Sequence, residues 1–203
     1  MKYLLLFTAH RQLEEFTFQN ILIGRFVYKP DIMIYSNHPD LKEENYLKRI
    51  PNISQYVKKI YCDEENTGYA KGLFTGLDKM YEYYKDYDYV IHLHPDIFIL
   101  DETKIYNIIK NCDTDFIVMD IDSGIPFTDY FIFKPKKNYF INYKNIKQNT
   151  SELILYEMIK DCSKTYTTRW LHYMPSKLEY FSRKTDINDI IHLHNLNDLY
   201  KYL

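Results

Sequence analysis

His92-Leu93-His94-Pro95-Asp96 holds residue types that can do chemistry. In an extended chain residues two apart share a face, so two imidazoles and a carboxylate could stand together. Imidazole with carboxylate suits a divalent ion such as Mn²⁺ or Zn²⁺. His192-Leu193-His194 repeats the pattern late in the chain, and the two pairs use four of only seven histidines. His92 and His192 can equally be read as histidines satisfied within a sheet. Asp96 reads as functional, because it follows an apolar strand and a proline where ligands are expected. A second segment, Glu65-Asn66-Thr67-Gly68-Tyr69-Ala70-Lys71-Gly72, is a loop that opens a helix. Its backbone N–H groups and helix dipole could receive phosphate, with Lys71 adding charge. It matches neither the Walker nor the dinucleotide pattern, so a plain helix start with Gly72 easing packing is an equal reading. Asp120-Ile121-Asp122 follows another apolar strand and is a rival carboxylate pair.

The elements around these segments must place them. Apolar runs at residues 3–7, 31–35, 57–61, 89–94, 97–100, 116–119, 130–133 and 190–194 read as strands. Residues 13–26, 41–50, 70–84, 103–111 and 151–160 read as helices, the last with Ser151 as its cap. Strands apolar throughout and alternating with helices indicate an α/β fold, a mainly parallel mixed sheet with helices on both faces. Ligands of such sheets sit beyond the carboxyl ends of the strands. The polar tails at 8–11, 36–37, 63–68 and 94–96 fall there.

Composition narrows the class. The chain has 203 residues, 46% of them hydrophobic, and a net charge of −2, too apolar and too neutral for disorder. The near-balanced charge argues against a nucleic-acid partner. Five Gly and seven Pro exclude collagen-like and low-complexity chains. Cys62, Cys112 and Cys162 are odd in number and lack metal-knuckle spacing, which favours a reducing compartment. The N-terminal apolar run is too short for a secretion signal, and no stretch reaches the roughly 18 residues of a membrane span. A cytoplasmic location is therefore expected. The 22 Tyr are the compositional oddity, read mainly as an AT-rich codon bias rather than as a sugar-binding surface.

The order of the pieces resembles the GT-A fold of nucleotide-sugar glycosyltransferases. Residues 4–11 resemble its first strand and nucleotide-contacting loop, and residues 32–37 its second strand with a base-contacting end. Asn66-Thr67-Gly68-Tyr69-Ala70-Lys71-Gly72 is similar to the family's Asn-x-Gly-x-Ala segment. Asp88-Tyr89-Val90-Ile91-His92-Leu93-His94-Pro95-Asp96 is similar to the strand that ends in Asp-x-Asp, with His94 in place of the first Asp and Asp96 kept as the second. The likeness is carried by the first half of the chain and is thin beyond residue 133.

The resemblance implies a single GT-A (Rossmann-like) domain over residues 1–203. Residues 1–100 would form the nucleotide-binding half and 101–203 the acceptor half. It implies a nucleoside-diphosphate sugar as donor, of uridine or guanosine, and a hydroxyl of a glycan or other acceptor. Thr8, His10, Arg11, Asn37, Asn66, Gly68, Tyr69, Lys71 and Gly72 would contact the donor. Mn²⁺ or Mg²⁺ would be held by His94, Asp96 and a late histidine, His192 or His194. In the alternative, metal dependence is weak and Lys71 or Arg11 neutralises the diphosphate.

An inverting transferase also needs a base for the acceptor hydroxyl. Glu152, at a helix start, fits the family's order, although an acid there also simply favours the helix dipole. Asp129, just before a strand, could instead hold the donor or acceptor sugar. Two other functions stay open. One is a metal-dependent hydrolase built on His92-x-His94-x-Asp96; the other is a non-catalytic carbohydrate-binding domain on a degenerate transferase fold. Arg169, Trp170, His172 and Tyr173 could form an acceptor platform, or close the edge of the core.

Overall fold

Leu4, Leu5, Leu6 and Phe7 leave almost no surface to water. A strand apolar on both sides must be covered on both sides, and that sets the layers of this molecule. The computed structural model describes residues 1–111, 115–120, 126–160, 166–168 and 190–193. Its elements run β1 (Tyr3–Ala9), α1 (Leu13–Gly24), β2 (Asp31–Ser36), α2 (Glu43–Leu47), β3 (Val57–Cys62), α3 (Tyr69–Tyr84), β4 (Tyr89–Leu93) and β5 (Ile97–Ile99). They continue with α4 (Glu102–Asn111), β6 (Phe116–Asp120), β7 (Pro126–Phe133), α5 (Ser151–Ile159), β8 (Tyr166–Thr168) and β9 (Ile190–His192).

Seven strands form one sheet in the order β3-β2-β1-β4-β7-β6-β8. The pairs β1–β2, β1–β4, β2–β3 and β6–β8 are parallel, while β7 runs antiparallel to both β4 and β6. The fold is thus α/β, with a mixed, mainly parallel sheet. Alternate residues of β1 serve opposite faces. Leu5 and Phe7 pack with Phe16 and Ile23 of α1 and Ile105 of α4. Leu4 and Leu6 pack with Phe74 and Leu77 of α3 and Leu155 of α5.

Several elements differ from the sequence reading. The helix expected over 41–50 is only α2, five residues long, followed by turns. The strand expected after Asp96 does not continue the main sheet. It is β5, which pairs antiparallel with β9 and sets Ile97 opposite His192. β7 begins at Pro126, well before the apolar core of the strand, and β8 was not anticipated. Thr150, not Ser151, caps α5: its hydroxyl accepts from the Leu153 N–H, while Ser151 turns its hydroxyl to Thr128.

Some of the tyrosines belong to the core. Tyr35, Tyr46 and Tyr84 are fully buried, and each hydroxyl is tied down. Tyr46 donates to Ser36 Oγ at 2.6 Å and Tyr84 to the Leu77 carbonyl at 2.8 Å. A buried phenol keeps its apolar area only if its hydroxyl finds a partner. Among the described residues, no helix is long and apolar enough to cross a membrane.

Candidate functional site

Three parallel strands end together at one edge of the sheet, and their polar tails enclose a cavity of about 420 Å³. β1 contributes Thr8 and Ala9, with His10 just beyond its end, and β2 contributes Tyr35, with Asn37 just beyond its end. Asn66, Gly68 and Gly72 line it at the start of α3, and His94, Asp96 and Asp129 close the opposite wall. Polar tails gather there because a parallel sheet buries its strands and leaves their ends to the connections.

The α3 side is shaped by glycine. Gly68 has φ of +84°, a left-handed conformation that side chains with a Cβ resist, and the Asn66 side chain accepts its N–H at 2.9 Å. A Cβ at Gly72 would stand 2.3 Å from Asn37 Nδ2, and one at Gly76 2.3 Å from the Tyr35 ring. The two glycines, one helical turn apart, let Asn37 and Tyr35 lie against the helix. The positive end of α3 therefore faces the cavity. His10 Nδ1 is 2.8 Å from Asn37 Oδ1, joining the β1 and β2 tails.

On the other wall, the His94-Pro95-Asp96 turn is pinned at several points. The His94 N–H donates to the Asp129 carbonyl at 2.9 Å, and His94 Nδ1 lies 3.2 Å from Asp129 Oδ1. Gln19, fully buried in α1, donates from Nε2 to the carbonyls of Pro95 at 2.8 Å and Ile97 at 2.7 Å. The Leu193 N–H donates to the Asp96 carbonyl at 3.0 Å, so the late histidine strand returns beside Asp96.

Of the residues singled out from sequence, nine line this cavity: Thr8, His10, Asn37, Asn66, Gly68 and Gly72, with His94, Asp96 and Asp129. Arg11 is exposed and its Nε bonds His38 instead. Lys71 is exposed on α3, and Tyr69 begins that helix. Glu152 does not line the cavity; it accepts from the Thr128 hydroxyl at 3.2 Å. The backbone of His192 pairs with Ile97, while His194, Asp122 and the 169–173 cluster lie outside the described residues. Sequence reasoning missed Gln19, Tyr35 and Leu73. Tyr35 carried a signal, since it lies near the end of a strand beside Ser36-Asn37, but a glutamine within a helix reads as solvent-facing.

The donor set at Asp96, His94 and Asp129 has the chemistry for a divalent ion. Among the described residues, no three such side chains converge as a formed metal cluster. Behind the wall, His92 is fully buried, and burial, with His94 nearby, pushes its pKa well below the ordinary histidine value.

No family model matches the chain, and no curated protein matches it. Solved structures do. The galactosyltransferase LgtC, in complex with donor and acceptor sugar analogs, is similar with a TM-score of 0.58 at 14% identity, over 95% of this chain and 87% of that one. The apo-form glycosyltransferase GlyE of Streptococcus pneumoniae TIGR4 gives a TM-score of 0.56 at 14% identity, over 82% of this chain. This chain covers 45% of the length of GlyE. A putative nucleotide-diphospho-sugar transferase of Desulfovibrio desulfuricans G20 gives 0.51 at 14% identity, over 82% of this chain and 79% of that one. The chain thus has the α/β, Rossmann-like fold found in nucleotide-diphospho-sugar glycosyltransferases.

Proposed function

We propose that this protein is a glycosyltransferase that moves a sugar from a nucleoside-diphosphate donor to a hydroxyl acceptor. One observation carries the reading: a single cavity at the carboxyl ends of the strands is lined on one side by a glycine-opened helix start and on the other by His94, Asp96 and Asp129. The first side suits a diphosphate, and the second suits the reacting sugar and a cation.

Breaking the bond between sugar and diphosphate builds positive charge at the anomeric carbon and negative charge on the departing phosphate. The amides at the start of α3 meet the negative charge, and Thr8, His10 and Asn37 hold the nucleoside. Asp96, with His94 and a late histidine (His192 or His194), would hold Mn²⁺ or Mg²⁺, which when bound would supply Lewis-acid neutralisation of the diphosphate. Asp129 lines the cavity and Glu152 does not. Asp129 is therefore the better placed of the two to take the acceptor proton or to hold the sugar.

The test is a panel of uridine and guanosine diphosphate sugars, with and without Mn²⁺, read by thermal shift and by nucleotide release. At least one donor raises the melting temperature and is turned over, and Asp96→Ala loses the turnover. The reading fails if no donor does either and Asp96→Ala behaves as the parent chain.

A further inference from the structure

His92 stands in β4 with no exposed surface, and it does not line the cavity. Its Nε2 lies 2.8 Å from Thr8 Oγ1 in β1, a contact across 84 residues of sequence. Its Nδ1 has no hydrogen-bond partner among the described residues. A neutral imidazole carries one N–H and one bare lone pair, and the partners of the two nitrogens decide which is which.

Two arrangements are available. With the proton on Nδ1, a buried N–H has no acceptor, and Nε2 accepts from Thr8. With the proton on Nε2, that N–H donates to Thr8 Oγ1, and only a lone pair at Nδ1 is left over. A buried N–H without an acceptor is the rarer fault in folded proteins. The second arrangement is therefore favoured. It has a consequence for Thr8, which lines the cavity and whose hydroxyl has no other hydrogen bond among the described residues. With Oγ1 already accepting from His92, the hydroxyl proton is free to point at a ligand.

We propose that His92 is a positioning residue: its Nε2–H holds Thr8 Oγ1 and leaves the Thr8 hydroxyl proton to donate into the cavity, to an acceptor oxygen of the bound molecule. The nature of that molecule rests on the nucleotide-sugar reading; the proton arrangement does not. Nucleobase carbonyls and diphosphate oxygens both accept such a bond. Thr8 would thus reward an oxygen acceptor at this point, which it could not do if its proton were spent on Nε2.

The proton position is read directly from the ¹⁵N spectrum of histidine-labelled protein, with the His92 signals assigned by their loss in His92→Gln. A protonated Nε2 and a bare Nδ1 are expected; the reverse overturns the proposal. Thr8→Val and Thr8→Ser then test the consequence by calorimetry with uridine diphosphate, uridine and inorganic pyrophosphate. Thr8→Val should weaken binding about tenfold and Thr8→Ser under about threefold, the size of one hydrogen bond. A loss seen with uridine places the acceptor on the nucleoside, and a loss seen with pyrophosphate places it on the diphosphate. Unchanged binding of uridine diphosphate by Thr8→Val overturns the proposal. If the parent chain binds none of the three, the nucleotide reading fails and the spectrum alone decides the role of His92. Should His92→Gln not fold, assignment through the Thr8 variants, whose substitution moves the neighbouring ring signals, serves the same purpose.

Discussion

The amide of Asn37 occupies the space that any side chain at position 72 would need: a Cβ on Gly72 would lie 2.3 Å from Asn37 Nδ2. Asn37 is itself held by His10 at 2.8 Å, so the packing of a helix fixes two cavity-lining side chains just beyond the ends of β2 and β1. Glycine inside a helix normally costs about 0.5–1 kcal/mol against alanine. Its presence at 72 is explained by the approach of Asn37, not by helix propensity.

Gly72→Ala should therefore reverse the usual helix result. Instead of stabilising, it should destabilise by about 1–3 kcal/mol, the range for an overpacked site. It should also move Asn37 and His10, weakening donor binding. Urea unfolding and nucleotide titration check the two effects together. A more stable Gly72→Ala chain with unchanged binding would show that Asn37 moves away freely.

Gln19 offers a sharper case, because one side-chain nitrogen serves the carbonyls of both Pro95 and Ile97 around Asp96. Gln19→Leu keeps the volume and leaves two buried carbonyls short of a donor. An unsatisfied buried group costs about 1–3 kcal/mol, so a loss near the upper end of that range is expected in urea unfolding. Turnover should fall by more than binding of uridine diphosphate does, since the turn bearing Asp96 loses its support while the α3 side is untouched.

How much of this was legible in the sequence follows from the physics of each residue. β1, β2 and β4 were readable because strands buried on both faces are unbroken apolar runs, and their polar tails announce the sheet edge. That placed Thr8, Asn37, His94 and Asp96 at the cavity. The bond between Thr8 and His92 was not readable, because it joins strands far apart in sequence and depends on register. Glu152 was drawn to the cavity by its position at a helix start, but that start faces Thr128. β5 was readable as a strand and not as a member of a separate pair, because its partner β9 lies more than 90 residues on and β pairing leaves no local trace.

The acid limb of stability should carry the mark of Asp63. Its carboxylate accepts from the Tyr35 hydroxyl at 2.6 Å and from Lys79 Nζ at 2.5 Å. Burial works against the charged form, but the hydrogen bonds from Lys79 and Tyr35, with the charge of Lys79, outweigh it and hold the pKa below the ordinary carboxylate value. A lowered folded pKa means stability that is present above the unfolded value, about 4, and is lost as pH falls through the folded value. Urea midpoints from pH 7 down to pH 2 should drop less steeply in Asp63→Asn than in the parent chain. The difference will be modest, because Lys79 is partly open to solvent and its pairing is screened. Identical slopes would remove Asp63 from the account.

The two carboxylates near β7 separate the sheet-edge reading from the helix-start reading. Asp129 lines the cavity and meets His94 through both its backbone carbonyl and its side chain. Glu152 meets Thr128, the residue next to Asp129 in the chain but turned to α5 through Ser151 as well. Loss of a group at the reacting atoms costs on the order of 10²–10⁴ in rate, whereas loss of a structural hydrogen bond costs stability first. Asp129→Ala should lower kcat by at least about a hundredfold with uridine diphosphate binding nearly intact. Glu152→Ala should keep kcat within about tenfold and lower the melting temperature by a few degrees. Steady-state kinetics and thermal melts on the two variants decide between them. The opposite pattern, a silent Asp129→Ala and an inactive, stable Glu152→Ala, would return the base to the start of α5 and require that helix to move toward the cavity when substrate binds.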